Sequence, residues 1–212
     1  MDSANHEARL AADDLACERS DRVLFSGLKL EVREGEALQV HGPNGSGKTS
    51  LLRILCGLVL PSAGTVRWRG VDILTDPLGY RAEILYIGHH SGVKLELSPL
   101  ENLKVAQALA AQPNGVTPLH ALERFGLAGF EDTPARALSA GQRRRIALAR
   151  LLTNQARIWV LDEPFTALDR AGVKTMESII HAKLRAGGLL IVTTHQPIRL
   201  GTEPAKALHL SP

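Results

Sequence analysis

Between a strand-like apolar run and a helix-like apolar run the chain carries GPNGSGKT, Gly42 to Thr49. Glycines admit positive φ and close approach, so successive N–H groups can converge on one anion. The helix beginning near Lys48 adds the positive end of its dipole. This is the pattern G-x-x-x-x-G-K-[ST] in its required strand–loop–helix context, where the backbone cradles phosphates, the lysine reaches the β- and γ-phosphates and the hydroxyl ligates Mg²⁺. A glycine turn feeding a helix with a surface lysine is the bland alternative. At an average glycine frequency of about 7% such a match arises by chance in about one chain in a hundred. The residues expected on phosphate are therefore Gly42, Pro43, Asn44, Gly45, Ser46, Gly47, Lys48 and Thr49, with Lys48 also assisting catalysis and Thr49 on the metal.

The rest of the chain supplies a frame for such a loop. Residues 10–18 and 27–33 read as strands joined by a turn at Ser20-Asp21, Ala37 to His41 as a strand, and 48–56 as a helix ended by Gly57. TVRWRG, 65–70, and ILYIGHH, 84–90, read as further strands. RIWVLDEP, 157–164, and GLLIVTTH, 188–195, are near-continuous apolar runs. Strands of this kind alternating with helices imply a parallel sheet covered on both faces. The stretch 98–154 is mostly helical, with breaks at 112–115 and 133–134. The expected fold is α/β: one domain over 1–212, a small N-terminal antiparallel β part, and a helical subdomain inserted over about residues 91–153.

Composition narrows the partners. A net charge of +3, scattered, with 4% aromatic residues offers little to nucleic acid. At 44% hydrophobic the chain can bury a full core, yet no apolar run approaches the ~20 residues that span a bilayer. The N-terminus, MDSANHEARLAADD, is polar and lacks the apolar region of a secretory signal. Membrane contact is expected only through partners. Cys17 and Cys56 form no C-x-x-C pair and read as reduced thiols of the cytosol.

The strand Ile158-Trp159-Val160-Leu161 delivers Asp162 and Glu163 at what would be the carboxyl edge of the sheet, where ligands bind. Asp162 is placed to hold Mg²⁺, and Glu163 to orient or deprotonate an attacking water. A nucleoside kinase has no need of that second acid, since its nucleophile is the substrate hydroxyl. Leu138-Ser139-Ala140-Gly141-Gln142 then precedes RRRIALARLL, in isolation a serine-capped helix with a solvated arginine face.

LSAGQ resembles the LSGGQ signature of ABC transporter ATPases and lies 15 residues before the carboxylate strand. Ala167-Leu168-Asp169 resembles the D-loop of that family and His195 its switch histidine, a catalytic role by resemblance. The resemblance covers essentially the whole chain and implies the P-loop NTPase core of an ABC ATPase, with ATP and Mg²⁺ bound. It implies a head-to-tail homodimer with ATP at the interface, where Ser139, Gly141 and Gln142 complete the site of the neighbouring subunit. Two positions depart from the family. The Q-loop glutamine falls at His90, either a neutral imidazole bonding the same water or a loop residue only. The aromatic that stacks on adenine is absent, with Arg19 near its place, either stacking there or simply exposed.

RVLFSGLKLEV, LYIGHHSGVKLELSPLENL, WVLDEPFTALD and VTTHQP are similar to the ATP-binding subunit of the bacterial cytochrome c maturation, or heme exporter, system. The chain runs 17 residues past His195, so no second ATPase domain is expected. This resemblance implies integral membrane subunits as partners, a peripheral place on the cytoplasmic face of the inner membrane, and export or release of heme. An ABC ATPase for another exported substrate, or a soluble one acting on ribosomes or DNA, are the alternatives. Nothing in the chain reads as binding heme itself.

Overall fold

The computed structural model describes residues 9–19, 22–111, 113, 115–194 and 205–211. Strands β1 (Arg9–Arg19) and β2 (Arg22–Arg33) pair antiparallel, with Arg19 opposite Arg22, and the turn expected at Ser20-Asp21 lies outside the described residues. β2 begins five residues earlier than the pattern suggests. Cross-strand pairs such as Cys17 with Phe25 carry the ladder past the polar Ser26-Gly27 that interrupts it. With β4 (Ala63–Trp68) and β5 (Val71–Asp72) these form a four-stranded sheet in the order β2-β1-β4-β5.

The second sheet is entirely parallel. It contains β3 (Ala37–His41), β6 (Ile84–Ile87), β7 (Ile158–Asp162), β8 (Leu189–Thr193) and β9 (Lys206–His209), in the order β6-β7-β8-β3-β9. Every residue of β7 and β8 is buried, because side chains of both parities meet a core. Ile158, Val160, Leu189 and Ile191 pack with helix α1 (Lys48–Leu55) and the antiparallel sheet. Trp159, Leu161, Leu190 and Val192 pack on the opposite face. The helices there include α3 (Pro99–Ala108), α4 (Pro118–Arg124), α5 (Ala140–Ala149) and α6 (Arg170–Arg185), and α3 to α5 all lie between β6 and β7. A short helix α2 (Pro77–Ala82), capped by the Asp76 carboxylate, was not marked by the sequence pattern.

Two expected strands end early. β6 stops at Ile87 because its register with β7 ends at the pair Ile87–Leu161, which leaves Gly88, His89 and His90 in a loop. β8 stops at Thr193, and His195 lies outside the described residues. Both cysteines are buried and free. Among the described residues no helix is long and apolar enough to cross a membrane.

Candidate functional site

The glycine loop runs from the end of β3 into α1. Gly47, with φ 93°, is the residue before the helix, and a Cβ there would also come within 3.0 Å of Leu24 and 3.2 Å of Phe25. Only glycine suits both the left-handed turn and the packing of β2 against the loop. The far end of α1 closes with the Gly57 and Leu58 amides donating to the Ile54 and Arg53 carbonyls, each at 2.9 Å. Lys48 folds back over the loop, its Nζ donating to the carbonyls of Gly42 at 2.6 Å and Pro43 at 3.0 Å. Ser46 is buried, and its hydroxyl has no hydrogen-bond partner among the described residues. A buried hydroxyl in that condition sits where a phosphate-binding loop needs a donor.

Asp162 ends β7 opposite Thr193 of β8 and is buried. One carboxylate oxygen accepts from the Thr193 hydroxyl at 2.6 Å and the other from the Thr49 hydroxyl at 2.8 Å. The loop and the carboxylate strand, 113 residues apart, are therefore joined directly. Thr49 and Asp162 offer oxygen donors alone, the ligand chemistry of Mg²⁺. Among the described residues no three His, Cys, Asp or Glu side chains converge as a metal cage. An ion held here would draw its other ligands from phosphate and water, as Mg²⁺ usually does. Glu163 follows with φ 49°, a conformation rare for a side-chain-bearing residue, and its N–H donates to the Thr193 carbonyl at 3.1 Å and hydroxyl at 3.0 Å. Outliers of this kind gather at functional sites.

These groups surround a cleft of about 400 Å³, floored by Gly45, Gly47, Lys48 and Thr49 and walled by His89, Asp162, Glu163 and Thr166. A second cleft of about 240 Å³ adjoins it, bounded by His89, His90, Ala140, Arg143 and Ala167 and sharing Glu163. Ser139 caps α5 through a capping box, its hydroxyl accepting from the Gln142 amide at 3.2 Å and the Gln142 side chain accepting from the Ser139 amide at 2.9 Å. The first turn of α5 lies hard against Ala167: a Cβ on Gly141 would come 2.7 Å from the Ala167 carbonyl oxygen.

Residues 25–166, two-thirds of the chain, match the family model described as ABC transporter. The chain belongs to the ABC transporter family. It is 48% identical over 97% of its length to 99% of the cytochrome c biogenesis ATP-binding export protein CcmA of Methylococcus capsulatus. It is 49% identical, over 89% of each chain, to the protein of the same name from Pseudomonas savastanoi. Among solved structures, a putative ABC transporter ATP-binding protein from Pyrococcus furiosus superposes with a TM-score of 0.79 at 25% identity, over 96% of this chain and 98% of that one. A dimeric ATP-binding cassette bound to ADP and Pi superposes with a TM-score of 0.81 at 23% identity, over 95% and 94% of the two chains.

In this ABC ATPase Asn44, Gly45, Gly47, Lys48, Thr49, Asp162 and Glu163 come together around one cleft, while Gly42, Pro43, Ser46, Ser139, Gly141 and Gln142 do not line it. Arg19, the exposed last residue of β1, is also away from the cleft lining. Of the two adjacent histidines His89 walls the main cleft, while the expected His90 borders only the second. The two rings meet edge to face at 5.6 Å. Because β6 ends at Ile87, the loop's first side chain after Gly88 turns to the phosphate side.

The arginine run does not form one solvated face. Arg143 donates to the Leu138 carbonyl at 2.6 Å, and Arg145 pairs with Asp169 at 2.7 Å. The Gly172 amide, then Arg145, hold the Asp169 carboxyl below its ordinary value. Arg144 is buried, and burial lowers its pKa against the pull of Asp162 and Glu163. Helical spacing was the signal that could have found it, since Arg144 shares a face with buried Ala147 and Leu148.

Proposed function

We propose that this chain is the ATP-hydrolysing subunit of an ABC transporter for c-type cytochrome biogenesis, energising export or release of heme. One observation carries the hydrolytic part: Asp162 and Glu163 stand on the wall of the cleft whose floor holds Lys48 and Thr49. Lys48 would exchange its two loop carbonyls for the β- and γ-phosphates, and Glu163 would take the proton of the attacking water. Thr49 and Asp162 would hold Mg²⁺, which when bound neutralises phosphate charge. His195 would meet the γ-phosphate by family resemblance, and Arg19, near the place of the absent aromatic, would lay its guanidinium plane on the adenine. His90 keeps a place in this reading only as a neighbour of His89.

A head-to-tail homodimer is the second part. Ser139, Gly141 and Gln142 open a helix away from their own phosphate loop, which supports a contact with ATP held by a partner subunit. The fold neighbour bound to ADP and Pi is itself dimeric. Membrane subunits are the third part. A groove of about 400 Å³ runs between α2 and α3, and Leu78 and Leu109 on its lips are 79% and 81% exposed. Leucines so exposed beside a groove favour a protein partner. Such a partner would keep the subunit on the cytoplasmic face of the inner membrane; the relatives are named export proteins of cytochrome c biogenesis.

The test is made in a bacterium that depends on this gene for its c-type cytochromes. Lys48→Ala, expressed at the parental level, should abolish heme-stained c-type cytochromes. Parental amounts of them with a hydrolytically dead Lys48→Ala protein would overturn the proposal.

A further inference from the structure

Arg144 is the one arginine buried to within a tenth of its surface among the described residues, and it meets no carboxylate side chain there at hydrogen-bond distance. Its acceptors are all backbone carbonyls. Nη1 donates to Gly88 at 2.9 Å, and Nη2 to Asp162 at 2.8 Å and to Glu163 at 2.9 Å. Nε has no partner among the described residues. Burying a guanidinium on these terms costs stability relative to an apolar residue of similar size. Packing alone therefore gives no reason for an arginine here.

Its position does. The β6–β7 ladder ends at the pair Ile87–Leu161, and the next residue on each strand is Gly88 and Asp162. Arg144 bridges those two carbonyls, extending the cross-strand tie one step beyond the sheet. It also grips the carbonyl of Glu163, whose N–H is held from the other side by Thr193. The left-handed Glu163 peptide is thus fixed at both ends, and the same fork sets the start of the loop that brings His89 to the cleft. Only a planar, multidentate donor can span three carbonyls in this way; an ammonium is a point charge.

We infer that Arg144 is a positioning residue for hydrolysis, acting through Glu163 and the His89 loop without touching ATP. It rides on the helix opened by Ser139, so it is also the rigid link from that helix to the hydrolytic turn. The inference rests on the hydrolytic role proposed above for Glu163.

The experiment compares Arg144→Lys, Arg144→Gln and Arg144→Met for melting temperature, Mg-ATP affinity and kcat, each alone and with Glu163→Gln. In variants that melt near the parental temperature, kcat should fall at least about tenfold while ATP affinity changes less than about threefold. With Glu163→Gln already present, the further loss from Arg144→Lys should shrink to about twofold or less. A folded Arg144→Lys with parental kcat overturns the inference. So does an equal loss in both backgrounds, or a set in which no variant folds, since Arg144 would then be structural. Parental turnover by Glu163→Gln alone sinks the hydrolytic reading instead, and the variant that keeps its rate tells the two failures apart.

Discussion

Thr193→Val removes a single oxygen from the centre of the site and leaves the side-chain shape almost unchanged. Thr193 is fully buried, and its hydroxyl donates to Asp162 at 2.6 Å while accepting from the Glu163 amide at 3.0 Å. The amide keeps a second acceptor, the Thr193 carbonyl at 3.1 Å, so its loss is partial. The Asp162 oxygen is left without that donor in a buried position. A hydrogen bond to a charged group contributes about 1.5–3 kcal/mol, and valine suits a buried strand slightly better, so the expected net cost is about 2 kcal/mol. For a chain of this length each kcal/mol moves the melting temperature by about 2–4 °C, giving a fall of about 4–8 °C. Thermal unfolding followed by circular dichroism measures it. In an Asp162→Ala background the same substitution should cost at least about 1 kcal/mol less, because the partner is gone. A melting temperature within about 1 °C of the parent, or equal costs in the two backgrounds, would show that the Thr193 hydroxyl does not stabilise Asp162.

His89→Ala should lower ATPase activity more than His90→Ala, because only His89 walls the cleft above the glycine loop; steady-state hydrolysis at saturating Mg-ATP compares them, and equal losses would remove the distinction. Lys183 donates to the Ala156 carbonyl at 2.6 Å over the Trp159 ring, and burial, then Arg157, lower its pKa from 10.5 to about 8. Between about pH 8 and 10 the unfolded chain holds that proton and the folded chain does not, so folding gains stability as pH rises through this window. The parent should therefore gain melting temperature relative to Lys183→Met between about pH 7.5 and 10; a constant difference would contradict this.

The phosphate loop and the carboxylate strand were legible because their chemistry is local. Glycine spacing sets the loop, and four apolar residues followed by two acids set the strand edge. The core strands were legible for a related reason: a parallel strand buried on both faces needs an unbroken apolar run, as β7 and β8 have. What the sequence hid depends on where strands stop. That His89 rather than His90 borders the main cleft follows from β6 ending at Ile87, a register fact set by its partner β7. Arg144 was hidden by its neighbours, since three arginines in a row resemble a solvated face until the helix shows which one points inward. The union of Thr49, Asp162 and Thr193 needs three elements that only the folded sheet brings together.

The proposed function stands on Glu163 activating water against ATP held between two copies of this chain. Glu163→Gln should bind Mg-ATP, turn it over very slowly, and therefore accumulate as an ATP-bound dimer. Size-exclusion chromatography with light scattering, run with and without Mg-ATP alongside a hydrolysis assay, measures all three properties on one sample. The expected result is a monomer without nucleotide and a dimer with it. A variant that stays monomeric with ATP and hydrolyses it at the parental rate would rule out both the catalytic role of Glu163 and the nucleotide-bound dimer.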